Sequence, residues 1–214
     1  MMLPLAVPLY KAGYAVLLFD SRNHGRSDTD NFSSLPRFAE DLDHALDWLA
    51  LQPDADARRL AALGHSVGAS AVLLTASRRR DLAGVVSIAA FADPQTMMRR
   101  FLAKRHVPYV PFGWYVLRNV QRVIGHRFAD IAPRNTIRKI HCPVLLVHGA
   151  DDTTIPVEDA LAIYAQRPDD RVRLSILAGD HDLSALTDNH ANELIDFLDS
   201  VCKRENATVF NLAQ

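Results

Sequence analysis

The sequence predicts an α/β fold: a mostly parallel sheet with helices on both faces. Three observations predict it. Short apolar runs alternate with stretches of helical periodicity. The runs are rich in Val, Ile, Leu and aromatic residues and are bounded by Gly, Pro, Asp and Asn. One of them, Val144–His148, is apolar almost throughout, as expected of a parallel strand covered on both faces. At 214 residues the chain is most simply one domain, long enough to bury about 70% of the surface its unfolded form exposes.

Each element can be justified in turn. Leu3–Ala12 reads as a helix interrupted by Pro8 and ended by Gly13. Tyr14–Phe19 is predicted to be a strand from its β-branched and aromatic content, and Asp20–Asn31 a polar loop. Leu35–Leu51 has Phe38, Leu42, Ala45, Leu46 and Leu49 on one helical face. Arg59–Leu63 is a predicted strand, Val67–Ser77 a helix and Val85–Ala89 a strand. After the Val144–His148 strand come a helix over Val157–Gln166, a strand over Val172–Leu177 and a closing helix over Ala191–Val201. Residues 91–141 break the alternation. They carry helical patterns around Met97–Lys104 and Trp114–Ile124, no convincing strand, and a basic, aromatic composition. The expected organisation is an α/β core over 1–90 and 142–203, a helical cap over 91–141 and a loose tail over 204–214.

Composition narrows the function classes. Hydrophobic content of 49% and charged content of 23% exclude a disordered chain. A net charge of -1 leaves no electrostatic footprint for a nucleic-acid partner. Cys142 and Cys202 stand far apart and make no metal spacing. No apolar run reaches membrane-span length, and Met1-Met2-Leu3-Pro4 lacks the basic start of a signal peptide, so a cytoplasmic location is expected. No G-x-G-x-x-G or P-loop follows any predicted strand, which argues against a nucleotide site.

The chemistry-bearing motif is Gly64-His65-Ser66-Val67-Gly68, a G-x-S-x-G between a predicted strand and a predicted helix. That context describes a nucleophile elbow, which lifts a serine hydroxyl above the sheet. The two glycines are expected because larger side chains would clash in so tight a turn. A serine alcohol needs a base within hydrogen-bond reach, usually a histidine oriented by a carboxylate. Two late loops, His148–Pro156 and Gly179–Asp182, follow predicted strands and supply both. In a parallel sheet all these loops emerge at one edge, so Ser66, an acid near 152 and His181 can meet there. Asp151 and Asp93 remain alternatives to Asp152 for the acid. His24, His65 and His148 read as loop-structuring or packing histidines.

Taken together, the residues resemble the α/β-hydrolases, close to bacterial branches described as lysophospholipase-like or peptidase S33-like. The resemblance covers about Leu3 to Leu198. It rests on Asp20-Ser21-Arg22-Asn23-His24-Gly25-Arg26-Ser27, Gly64–Gly68, Pro143–Pro156 and Gly179–Asp182, in that order. It implies Ser66 as nucleophile, Asp152 as acid, His181 as base and the Val67 N–H as one oxyanion donor. It further implies a serine hydrolase of carboxylic esters, thioesters or related small acyl compounds, with no metal or organic cofactor. Substrate contacts are expected from His65, Phe91, Tyr109 and Trp114.

The resemblance also implies that N-terminal strands are missing. In the family, a strand and a His-Gly loop precede the helix that leads into the Tyr14–Phe19 strand, and this chain begins at about that helix. The expectation is that Met1 is internal to a longer reading frame or that the protein is a truncated relative. The Tyr14–Phe19 strand must then shift inward, stand across a gap or accept a strand from another chain. The missing loop would supply the second oxyanion donor, whose loss costs about 10² to 10³ in rate. A non-catalytic or impaired hydrolase-like protein that acts by binding is therefore the alternative reading.

Overall fold

The structure is a computed structural model that describes residues 3–182 and 191–203. The expected loose tail, 204–214, lies outside the described residues. The chain runs through α1 (Leu3–Lys11), α2 (Leu35–Ala50), β1 (Ala61–His65), α3 (Val67–Ala76), β2 (Gly84–Ile88), α4 (Pro94–Lys104) and α5 (Trp114–Ile124). The short helices α6 (Phe128–Ile131) and α7 (Pro133–Thr136) follow, then β3 (Val144–Gly149), α8 (Val157–Tyr164), β4 (Val172–Leu177) and α9 (Ala191–Cys202). The strands pair in the order β1-β2-β3-β4, and every pair is parallel.

Side-chain alternation along the strands divides the core into two layers. Val85, Val144, Leu146 and Val172 face a layer filled by Leu46 of α2, Leu73 of α3 and Ile163 of α8. Their neighbours Val86, Leu145 and Val147 face the opposite layer, filled by Leu5 of α1 and by Leu194, Phe197 and Leu198 of α9. Helices thus cover both faces, as the near-continuous apolar β3 requires. Each fully buried aliphatic side chain contributes about 1.5–3 kcal/mol. Local signals set the helix starts: the Ser34 side chain accepts from Arg37 N before α2, and Asp93 accepts from Gln95 N and Thr96 N before α4. Residues between Phe91 and Cys142 contain helices and turns and no strand, as expected. Leu117, Phe128 and Ile131 of that stretch pack with Leu35 of α2, Ala71 and Leu74 of α3, and Ile155.

One expected strand is corrected. Tyr14–Phe19 joins no sheet among the described residues. It lies across a cleft of about 240 Å³ from the β1 edge, lined by Tyr14–Phe19, Leu42, Leu46 and Leu60–Leu63. The physical reason is that strand-like residues fit a pleated surface but do not create a ladder, which needs a partner backbone about 4.8 Å away. Val16, Leu17, Leu18 and Phe19 are consequently exposed. The segment is tied down at its start instead, where the Tyr14 hydroxyl donates to the Asp199 carboxylate and Lys203 Nζ donates to the Ala12 carbonyl.

Candidate active site

The parallel sheet delivers three loops to its carboxyl edge. Ser66 follows β1, Asp152 follows β3 and His181 follows β4. Ser66 sits between β1 and α3 with φ 55° and ψ −117°, a strained conformation for a non-glycine residue. Its N–H donates to the Ile88 carbonyl of β2 at 2.8 Å, which ties the turn to the sheet. Gly64 is obligatory, because a Cβ there would lie 2.4 Å from the Gly68 carbonyl oxygen. Gly68 departs from the expectation. A Cβ at that position meets nothing within 4 Å, so no clash demands glycine there. The cleft beside it, about 320 Å³, is lined by Phe19, His24, Phe38, Gly64, Val67 and Gly68.

The three side chains meet. His181 Nε2 lies 3.1 Å from Ser66 Oγ, and His181 Nδ1 lies 2.7 Å from Asp152 Oδ2. The Asp152 side chain is fully buried, and its Oδ1 accepts from Thr154 N and Ile155 N, each at 2.8 Å. Those two donors and the histidine fix the carboxylate and leave Nε2 free to accept from the serine hydroxyl. Val67 opens α3, so its N–H has no intrahelical partner and is available to an anion beside Ser66. The alternatives for the acid are placed elsewhere. Asp151 is exposed, and Asp93 is engaged as the cap of α4 and by Arg134 at 2.6 Å.

Two histidines act in ways the sequence did not signal. His65 Nε2–H donates to the His181 carbonyl at 2.7 Å, and the two rings lie 4.9 Å apart. Burial holds the His65 pKa below its ordinary value, partly opposed by that hydrogen bond. His148, fully buried at the end of β3, donates from Nε2 to the Ile155 carbonyl at 2.7 Å, and the same nitrogen lies 3.4 Å from Asp152 Oδ2. His148 Nδ1 is buried with no partner among the described residues. The hydrogen-bond acceptors of both rings are backbone carbonyls, which carry no sequence signal.

The remaining expected positions are scattered. Phe91 is buried in the layer beneath α4 and α5, not on an open surface. Tyr109 is partly buried, with the Arg99 guanidinium 4.0 Å above its ring. Trp114 is half exposed at the start of α5, with Arg118 over its ring. The motif Asp20–Ser27 folds into a turn. The Asp20 carboxylate accepts from Arg26 N and would collide with any Cβ at Gly25, whose φ is +51°. His24 Nδ1–H donates to the Arg22 carbonyl, as a loop-structuring residue does. Among the described residues no three His, Cys, Asp or Glu side chains are grouped to hold a metal ion. No helix among them is long and apolar enough to cross a membrane.

A family profile described as serine aminopeptidase, S33, matches residues 2–122. The chain belongs to this α/β-hydrolase family. An uncharacterized Mycobacterium tuberculosis protein is 30% identical over 168 residues, 77% of this chain and 52% of that protein. The uncharacterized Escherichia coli protein YfhR is 24% identical over 95% of this chain and 66% of its own length. The chain thus spans about half to two thirds of these curated relatives. Among solved structures, an esterase of Pyrococcus furiosus matches with a TM-score of 0.71 at 21% identity, covering 94% of this chain and 76% of the esterase. A monoacylglycerol lipase of Paleococcus ferrophilus matches with a TM-score of 0.66 at 20% identity, covering 92% of this chain and 87% of the lipase. At such identities the likeness establishes the fold, which agrees with the parallel sheet and its flanking helices.

Proposed function

We propose that this hydrolase cleaves small carboxylic esters, thioesters or related acyl compounds with Ser66 as nucleophile, His181 as base and Asp152 as acid. The observation that carries the reading is the continuous relay from Ser66 Oγ through His181 to Asp152, with links of 3.1 and 2.7 Å. Ser66 Oγ attacks the acyl carbon while its proton passes to His181 Nε2. Asp152 holds His181 in the tautomer with Nδ1 protonated and stabilises the imidazolium. The carbonyl oxygen gains negative charge, which the Val67 N–H offsets. His181 then protonates the leaving group, and a water deprotonated by the same Nε2 releases the acyl group from Ser66. Residues 91–141 serve as a cap over this edge of the sheet. Their contact with Ile155, three residues past the acid, supports that placement.

A fluorophosphonate probe tests the reading. The wild-type chain should become labelled and Ser66→Ala should not; equal labelling of the two discards the assignment. A second reading, an impaired hydrolase that binds without turnover, draws on the open cleft of about 320 Å³ beside Val67 and Gly68, with the Val67 N–H as the one oxyanion donor the proposed mechanism names. Hydrolysis of a p-nitrophenyl ester separates the two. Labelling without turnover favours the impaired form, whose rate would fall about 10² to 10³ below that of a complete oxyanion hole.

A further inference from the structure

The segment over the carboxyl edge differs in charge from the rest of the molecule. Between Pro94 and Ala129 lie Arg99, Arg100, Lys104, Arg105, Arg118, Arg122 and Arg127, with no Asp or Glu, in a chain whose net charge is -1. Arg100 is engaged by Asp159 and Arg127 by the neighbouring Asp130; Arg99, Lys104, Arg105, Arg118 and Arg122 are exposed. The same surface exposes large apolar side chains: Phe101, Val110, Phe112, Tyr115, Val116 and Val123. On α5 the two characters are interleaved. Leu117, Val120 and Ile124 turn inward, while Trp114, Tyr115, Val116, Arg118, Arg122 and Val123 turn outward.

We propose that this face docks the protein on an anionic lipid bilayer. Exposed apolar and aromatic residues intermixed with arginines are what a segment lying in the headgroup layer requires. Rings enter the acyl boundary, and guanidinium groups stay at the phosphates with their aliphatic stems covering apolar surface. Three rings here already carry a guanidinium: Arg99 lies 4.0 Å from the Tyr109 centroid, Arg105 3.9 Å from Phe101 and Arg118 5.5 Å from Trp114. Aromatic residues and arginine also favour protein interfaces, so charge selects the occupant: Arg99, Lys104, Arg105, Arg118 and Arg122, with no carboxylate between Pro94 and Ala129, match a continuous anionic surface such as a lipid headgroup layer. Complementarity of charge names the lipid as anionic. The docked orientation presents the sheet edge bearing Ser66 to the bilayer, since the segment packs beside Val67 and Ile155 and Lys104 Nζ reaches the Thr153 carbonyl. The proposal stands on surface chemistry alone and does not require Ser66 to turn over.

Flotation of the full chain with vesicles tests it. Phosphatidylcholine vesicles containing phosphatidylglycerol, mixed at roughly three to one, should carry the protein, pure phosphatidylcholine vesicles should not, and raising the salt to roughly 0.5 M should release it. Each basic residue lost should weaken partitioning about fivefold, so Arg118→Ala with Arg122→Ala should weaken it on the order of 25-fold. Phe112→Ser with Tyr115→Ser should weaken binding at unchanged charge, while Arg58→Ala with Arg171→Ala, distant from this face, should not. In a Trp48→Phe background, Trp114 emission should shift to the blue on anionic vesicles alone. Circular dichroism of each variant verifies folding. Equal flotation with neutral vesicles, no flotation, insensitivity to the Arg118 and Arg122 substitutions in folded protein, or salt-resistant self-association without vesicles would each overturn the proposal.

Discussion

Gly64 and Gly68 flank the same serine but meet different surroundings, and substitution separates them. Gly64→Ala drives a Cβ into backbone of the same turn, so a loss of about 3 kcal/mol or more is expected in the urea midpoint. Gly68→Ala enters open space in the first turn of α3 and should be neutral or stabilising by up to about 1 kcal/mol. In the proposed mechanism His65 is a positioning residue, through its hydrogen bond to the His181 carbonyl. His65→Ala should lower kcat about tenfold or more with KM nearly unchanged, and His65→Gln, which keeps an N–H donor, should recover part of it. The pH dependence has a definite sign. The folded pKa of His65 is depressed, so below about 6.5 the unfolded chain binds more protons than the folded one, and stability falls as pH falls. Denaturant midpoints between pH 7 and 5 should fall less steeply in His65→Gln than in wild type. The G-x-S-x-G motif placed Ser66 at the turn between β1 and α3. The role of His65 escaped it, because its acceptor is a main-chain oxygen 116 residues away.

At the scale of elements, the helical segment is pinned to the core by one buried carboxylate. Asp159 of α8 receives Arg100 of α4 through two contacts of 2.9 Å and the Ala92 N–H at 3.3 Å. Removing the cation leaves a charge with little access to water. Arg100→Ala should therefore lower stability by about 2–3 kcal/mol, toward the low end because the guanidinium is itself partly exposed. The paired change Arg100→Met with Asp159→Leu should recover most of the loss in thermal melts. Helices at this scale were legible in the sequence. α5 begins and ends at the residues its periodicity marks, and β4 likewise. Tyr14–Phe19 was not, because its residues are strand-like while the ladder partner that would make it a strand is no property of its own sequence. The two ends of β1 shifted for the same reason: the ladder to Gly84–Ile88 sets them, not the composition of Arg59–Leu63.

Across the whole molecule, charge is segregated. The helical segment is cationic, with Asp93 and Asp130 its two acids, and the remainder carries the other acids; several acids of both parts are held below the usual carboxylate range by arginine or backbone partners. Asp169 falls to about 2 through hydrogen bonds from Arg171, and Asp130 and Asp81 are lowered by Arg127 and Arg79. With folded pKa values depressed, the unfolded chain takes up protons first, so this contribution is present above about pH 4 and is lost as pH falls toward 2. Denaturant midpoints should decline across that window, and less so at high salt, because these groups are exposed and readily screened.

The sequence by itself determined the α/β architecture, the parallel order of the loops at one sheet edge, and Ser66, His181 and an acid near 152 as the residues able to meet there. These follow from local periodicity and from the geometry of parallel strands, which need no knowledge of distant contacts. Only the tertiary structure decided that Asp152 is the buried carboxylate and Asp151 the exposed one, that His65 donates to the His181 carbonyl and His148 to the Ile155 carbonyl, and that Tyr14–Phe19 stands apart from β1. Each of those depends on which groups lie within a few ångströms across the fold. Hydrogen bonds, ladders and burial are properties of neighbours in space, and spacing along the chain does not encode them.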